Sequence, residues 1–207
     1  MSLFARAQVY PVQTNLVLSP PYSNYLADYT KLGSERLILN TFLADQARPD
    51  IQVKFQLKIE GSGILLETRP EINVAPYTLF SGAPVQISGY DLEPYFRPEN
   101  LNLTVITETQ LRRTGALPEG YYRFSLNVLE YNRGVVISNE AMATAWLVLN
   151  DPPLINFPLN TSTLPANDPQ LIRFQWTPRQ TGSPNSDFTT KYQFKMVEIW
   201  PQNRNPN

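Results

Sequence analysis

The stretch that decides the fold is IQVKFQLKIEG, residues 51–61. Its apolar side chains occupy every second position, and glutamine, lysine and glutamate fill the positions between them. Because successive side chains of a β-strand point to opposite faces of the sheet, this period predicts a strand with one apolar and one polar face. A second run, GYYRFSLNVLEY at 120–131, alternates in the same way and places on one side Tyr122, Phe124, Leu126 and Val128.

Turn-forming residues separate further short strands. The chain has 207 residues with 19 prolines and 9 glycines, which lie between short alternating runs and are typical of an all-β protein. The NRG turn at 132–134 sends the chain back through 135–150, which predicts a hairpin with 120–131. Other predicted strands are QTNLVLS, ERLILNTFL, GILLETRP and PVQISG. About seven strands in such a length predict a β-sandwich.

Two segments break the strand pattern, YDLEPYFRPENL at 90–101 and TETQLRRTGALP at 107–118. Thr107 or Thr109 can cap a helix and Gly115 can end it. We therefore predict a single helical turn in either segment.

A domain boundary is predicted at Asp151-Pro152-Pro153, because consecutive prolines cannot continue a central strand. The β-sandwich domain would then cover 8–150. Residues 151–207 hold three predicted strands, PLINFP, QLIRFQWTP and YQFKMVEIW. In the second of them Ile172, Phe174 and Trp176 are predicted to point inward, and Trp146 of the first domain is likewise predicted to be a core residue.

The absence of histidine and cysteine restricts the possible chemistry most. Without them the chain has no thiol nucleophile, no Ser-His couple, no imidazole base and no ordinary zinc or copper site. A formal net charge of −1 disfavours a nucleic-acid partner. The sequence holds no apolar run of the ~18 residues that a membrane span needs, so we predict no transmembrane segment. We also predict no cofactor.

Two carboxylate pairs are the candidates for catalysis. Asp91 and Glu93 lie two residues apart, and Glu130 and Glu140 flank the predicted hairpin turn. A glycosidase needs two carboxyl groups about 5–10 Å apart in a cleft, whereas acids in loops are mostly solvated or cap a turn. We therefore predict no catalytic residue. Asp91 and Glu93 also lack the dense spacing of a calcium loop, so we predict no metal site.

The residues most typical of recognition lie in the segment 90–97. Aromatic side chains beside an arginine form interface hot spots and sugar-stacking platforms. The candidate partner-binding residues of this segment are Tyr90, Asp91, Tyr95, Phe96 and Arg97. The alternative is that Tyr95 and Phe96 close one end of the sandwich while the stem of Arg97 covers them.

Two further groups of residues are candidates for contact with a partner. Arg112 and Arg113 form a basic pair that could contact acidic partners, although such pairs are most often solvated surface. In the last predicted strand, Trp200 shares a face with Tyr192, Phe194 and Met196. We predict that Tyr192 and Trp200 bind a partner.

Five motifs, in their order along the chain, resemble the TANFOR-type proteins, which are long exported proteins of Bacteroidota, many from organisms with gliding motility or type 9 secretion. The motifs are LSPPYSNYLADY, APVQISGYDLEPYF, LPEGYYRFSLNVLEY, SNEAMATAWLVLNDPPLINFPLN and FQWTPRQTGSPNS. The resemblance covers nearly the whole chain, residues 9–200.

This resemblance implies an immunoglobulin- or macroglobulin-like β-sandwich followed by a fibronectin type III-like module. Trp176 would match the buried tryptophan of an early strand of that module, and Tyr192 a core tyrosine of the next strand. Since such a module needs about seven strands, we expect 151–207 to be a partial module that exposes an apolar face and an unpaired edge. The alternative is a naturally short unit that a strand of another protein completes.

The sequence thus predicts a non-enzymatic, exported interaction or scaffold module of a large cell-surface protein, linked to gliding motility or type 9 secretion and acting by protein–protein docking. Its partners would be proteins at the cell surface or in an outer-membrane complex, or a second copy held through 152–207.

Ala5-Arg6-Ala7 before Gln8 has the small-residue pattern that ends a secretion signal. We interpret 1–7 as the remnant of such a signal or of a tag, and expect a surface, extracellular or periplasmic location in a Gram-negative bacterium. The alternative function is a carbohydrate-binding module, or a weak glycoside-processing domain, that uses the segment 90–97.

Overall fold

The computed structural model describes residues 10–148, 153–178 and 193–196, and antiparallel β-sheets dominate them. Nine strands lie within 10–148: β1 Val12–Leu18, β2 Leu37–Leu43, β3 Asp50–Gly61, β4 Ile64–Thr68, β5 Tyr77–Phe80, β6 Pro84–Ser88, β7 Leu101–Thr104, β8 Gly120–Glu130 and β9 Ala141–Leu147. Three short helices accompany them: α1 Ala27–Thr30, α2 Glu93–Phe96 and α3 Glu108–Thr114. A 3-10 turn at Pro98–Asn100 follows α2. The prediction of an all-β fold is confirmed.

The strands form two sheets that share one apolar core. The smaller sheet has the order β1-β2-β6, and the larger has the order β7-β4-β3-β8-β9, with β5 paired to the first half of β3. The long central pair aligns Phe55 with Val128 and Ile59 with Phe124. Inward side chains of both sheets, among them Leu39 of β2 and Leu57 of β3, belong to the same buried cluster. The alternating pattern of the sequence therefore folds as a β-sandwich.

Hydrogen bonds join the edge of β1 to the segment that leads into β9. The backbone N–H of Thr14 donates to the Asn139 side-chain oxygen at 2.8 Å, and the Asn139 amide nitrogen donates back to the Thr14 carbonyl at 2.9 Å. The backbone N–H of Val12 donates to the Ile137 carbonyl at 3.1 Å. These bonds join the two sheets at one corner and satisfy backbone groups that an edge strand would otherwise expose.

Every strand predicted within 10–148 is present, and β8 and β9 pair as the predicted hairpin. The helix α3 also begins and ends as predicted. Thr107 caps it through a reciprocal bond with Gln110, and Gly115 ends it at φ 64°. The strands β5 and β7 and the helix α1 were not predicted, because each spans only four residues and is too short to show a period.

In the second predicted unit the structure describes one hairpin, β10 Leu154–Phe157 with β11 Gln175–Thr177. The side chains of Leu154, Ile155 and Phe157 are exposed. Trp176, predicted to be a core residue, is 45% exposed, so that prediction is wrong for this side chain. The rings of Phe174 and Phe194 are in contact, with centroids 4.5 Å apart.

The third predicted strand of this unit is described only at 193–196, and these four residues do not lie in a strand. Tyr192 and Trp200 lie outside the described residues, so their role as partner-binding residues stays a prediction. The immunoglobulin-like, macroglobulin-like and fibronectin type III-like assignments stay predictions as well. Within the described parts of the chain, no helix has the length and apolar character needed to cross a membrane.

Candidate functional site

The predicted recognition segment 90–97 divides into buried and exposed side chains. Tyr95 and Phe96 of α2 are buried in the core, whereas Tyr90 and Arg97 are exposed. The Tyr95 hydroxyl accepts a hydrogen bond from the Phe55 backbone N–H at 3.1 Å, and the two rings meet edge to face at 5.6 Å. Tyr95 and Phe96 are therefore part of the core, and their prediction as partner-binding residues is corrected to a packing role.

The charged side chains of this segment are bound locally. The Asp91 carboxylate accepts hydrogen bonds from the Ser88 backbone N–H at 3.1 Å and from the Ser88 hydroxyl at 2.7 Å, so it caps the turn after β6. The Arg97 guanidinium donates to both carboxylate oxygens of Glu93, at 2.8 and 2.9 Å. With one exposed ring, at Tyr90, this segment does not form the multi-ring aromatic platform that a carbohydrate site would use.

The two predicted carboxylate pairs differ in their surroundings. Glu93 is held by Arg97, and Glu130 forms an ion pair with Arg133 in the turn after β8. Glu140 is exposed in the segment before β9. Among the residues that the structure describes, no cluster of three or more acidic side chains is placed to hold a metal ion.

Burial separates two tyrosines from the solvent. The Tyr29 hydroxyl donates to the Ser23 carbonyl at 2.8 Å. Burial raises the pKa of Tyr29 to about 12, and it raises the pKa of Tyr95 to about 12 as well. Ionisation of either phenol is therefore less favourable in the folded chain than in the unfolded one.

We expect the fold to lose stability in strong alkali. An unfolded tyrosine ionises near pH 10, and Tyr29 and Tyr95 ionise in the folded chain only at about 12. Between these values the unfolded state has lost protons that the folded state keeps, so the free energy of unfolding falls as the pH rises, by up to ~1.4 kcal/mol per pH unit for each tyrosine. Urea unfolding over this pH range measures the slope. Burial also raises the pKa of Tyr77 and of Tyr122, so these two tyrosines add to the slope. Tyr95→Phe should remove only the contribution of Tyr95, up to ~1.4 kcal/mol per pH unit. An unchanged slope in that variant would show that Tyr95 ionises normally.

The outer face of the β8–β9 hairpin carries an exposed apolar group that we call the outer-face patch: Tyr121, Met142 and Trp146. Their side chains are 54%, 51% and 55% exposed. Tyr121 and Trp146 are paired across the two strands, and their ring centroids lie 6.5 Å apart at an angle of 52°. The prediction of Trp146 as a core residue is wrong, because the inward positions of β9 belong to Ala141, Ala145 and Leu147.

Charged residues border the outer-face patch on the same face of the sheet. Arg123 lies two residues after Tyr121, opposite Thr144, and forms an ion pair with Glu60 of β3. Lys58 binds the same carboxylate at 2.7 Å. The hydrogen bond from Lys58, followed by the charge of Arg123, lowers the pKa of Glu60. The aromatic pair of the patch is therefore flanked on its Met142 side by the ion pair of Arg123 and Glu60.

The basic pair of α3 is divided between two environments. Arg112 binds Glu108 at 2.9 Å and Glu99 at 3.0 Å. Arg113 borders a groove of about 630 Å³, which we call the α3 groove. Its apolar lining includes Tyr25, Ile64, Val105, Ile106, Leu117 and Pro118. Arg112 is therefore held by two carboxylates, whereas Arg113 offers its guanidinium to the α3 groove.

No protein family, curated protein or solved structure that was compared with this chain matches it.

Proposed function

We propose that this chain is a non-enzymatic β-sandwich module of an exported cell-surface protein, and that it docks a protein partner through the outer-face patch. The observation that carries this proposal is the exposed contact between Tyr121 and Trp146. Met142 is exposed on the same face of β9, four residues before Trp146. Large apolar side chains that stay grouped on a folded surface mark interaction sites, and tryptophan and tyrosine are the residues most often found at binding hot spots.

The composition of the patch supports a protein partner. An interface typically has an apolar, aromatic centre that loses its water and a polar border that stays hydrated. Tyr121 and Trp146 supply the centre, while Arg123 and Glu60 supply the border. The patch also lies on regular strands of the larger sheet, so the rings are held in place before the partner binds and little ordering is needed.

The non-enzymatic part of the proposal rests on side-chain chemistry. The sequence offers neither histidine nor cysteine. Of the acids proposed as candidates, Glu93 and Glu130 are held by arginines and Asp91 caps a turn. The exported location, and the link to gliding motility or type 9 secretion, rest on the TANFOR-type resemblance and on the small-residue pattern before Gln8.

A second contact through 152–207 belongs to the same proposal. Leu154, Ile155 and Phe157 expose their side chains on the β10–β11 hairpin. An exposed strand with apolar side chains favours pairing with another chain, which is consistent with the second copy that the sequence predicts to be held through 152–207.

Site-specific crosslinking in the cells that produce the protein tests the docking surface. A photoreactive amino acid at Thr144, an exposed position between Met142 and Trp146, should give one discrete protein adduct. The same group at Leu32, which is exposed in the turn after α1, should give none. With the partner purified, Trp146→Ala should weaken binding by about 30-fold or more, the loss expected of a hot spot. An adduct that forms equally from both positions, or a Trp146→Ala variant with unchanged affinity, would refute the proposal.

A further inference from the structure

The α3 groove joins an apolar surface to Arg113, which forms no ion pair with the residues that the structure describes. Seven of the eight arginines in 10–148 have a carboxylate within 4.0 Å. Arg113 is the exception among these described residues, and the described lining of the groove contains no acidic side chain. A bound carboxylate would therefore meet a guanidinium that is not already neutralised.

The wall of the groove includes a strained residue. Val105 lies between β7 and α3, with φ at +73° and a side chain that is 78% exposed. A β-branched residue at positive φ costs about 1–3 kcal/mol relative to its ordinary conformations. Burial does not offset this cost, since the isopropyl group is in solvent. Strain without a packing reason is typical of positions kept for binding.

The shape of the groove favours a polypeptide over a small amphipathic molecule. Tyr25 and Val105, on its walls, are each more than half exposed, so a ligand in the groove keeps one side in solvent. Pockets for small molecules enclose most of the ligand surface. An extended segment of a partner can instead lay one or two side chains against the apolar walls and turn its other side outward.

We propose that the α3 groove binds a protein segment in which one or two apolar residues adjoin an acidic residue or a terminal carboxylate, with Arg113 as the carboxylate-binding residue. Tyr25, Val105 and Ile106 contact the apolar side chains of this segment. The outer-face patch takes no part in this contact, so each proposal can fail without the other.

A peptide array tests the inference on the full chain. The probes are synthetic decapeptides in which two of Leu, Ile or Phe precede Asp or Glu, each printed beside a twin that carries Asn or Gln instead. The acidic peptides should bind about tenfold more tightly than their amide twins, as expected for a charge-assisted hydrogen bond. Arg113→Gln should remove this difference. Arg112→Gln is the matched control and should retain it, because Arg112 is bound by Glu99 and Glu108 and does not line the groove.

A second variant separates binding from folding. Val105→Asn removes the apolar wall and accepts positive φ more readily than valine does. It should raise resistance to urea while it weakens peptide binding, a combination that a merely damaged fold cannot produce. The inference is overturned if no acidic peptide binds better than its amide twin, if Arg112→Gln and Arg113→Gln lose binding equally, or if Val105→Asn binds as well as the unaltered chain.

Discussion

Phe124→Ala should lower the free energy of unfolding by about 3–5 kcal/mol, the range measured for the loss of a buried phenylalanine ring. Phe124 is fully buried in the centre of β8 and pairs with Ile59 of β3. Its ring also contacts Tyr29, at a centroid distance of 5.3 Å, and so holds α1 against the larger sheet. Alanine would leave a cavity that strands from both sides of the core cannot close without losing their register. Urea unfolding followed by circular dichroism measures the loss.

Tyr121→Ala is the matched control, because this aromatic residue lies on the same strand and points to the opposite face. With its side chain 54% exposed, the change should cost less than about 1 kcal/mol. The two variants together separate residues that stabilise the fold from residues proposed to bind a partner. Equal losses would show that the outer-face patch is part of the folded core and would remove the basis of the docking proposal.

Strand alternation allowed most of the sheet to be predicted from the sequence. In β3 and β8 the inward positions carry large apolar residues and most outward positions carry polar ones, so the period and its phase are both visible. In β9 the inward positions are mostly alanines, and Met142 and Trp146 are the largest side chains of the strand. The largest residues therefore suggested the wrong phase. Trp146 lies between Ala145 and Leu147. If these two neighbours had been taken as the inward residues, the alternation would have predicted that Trp146 is exposed.

The division within 90–97 could not be predicted, since it depends on a distant contact. Tyr95 packs against Phe55, 40 residues earlier in the chain, and the Phe55 backbone N–H donates to its buried hydroxyl. A four-residue helix shows no period that would reveal which of its rings points inward. The sequence allowed the rings of this segment either to bind a partner or to pack in the core. Packing of Tyr95 against β3 decides for the core.

The difference between Arg112 and Arg113 has a local cause that the sequence does contain. Glu108 lies four residues before Arg112, the spacing at which opposite charges meet on a helix. The residue four positions before Arg113 is Thr109, which cannot form an ion pair. The α3 groove itself was not predictable, because Tyr25, Ile64 and Val105 come from three separate segments.

Gly89→Ala should cost about 3 kcal/mol or more, as expected for overpacking that the backbone cannot relieve. Gly89 follows β6 and leads into 90–97. A Cβ atom at this position would lie well inside 3.0 Å of the Tyr29 carbonyl oxygen and 2.9 Å from its carbon. The Gly89 N–H donates to the Leu37 carbonyl at 2.9 Å, and the Gly89 carbonyl accepts from Leu92 at 3.1 Å. The backbone therefore cannot move away from α1 without breaking bonds on both sides.

Gly82→Ala distinguishes this close approach from a conformational effect. Gly82 has φ at +78°, and no atom lies within 4 Å of a Cβ atom added there. Alanine at this position should therefore lower the free energy of unfolding only through its left-handed conformation, by about 1–2 kcal/mol. Urea unfolding of both variants compares the two causes, and a Gly89→Ala loss no larger than that of Gly82→Ala would contradict the contact with Tyr29.

Because Gly89 precedes Tyr90, displacement of this turn should also loosen Tyr95, and its hydroxyl should then ionise nearer to its ordinary pKa. The close approach of Gly89 to Tyr29 thus fixes the start of a segment in which Tyr95 and Phe96 are buried in the core.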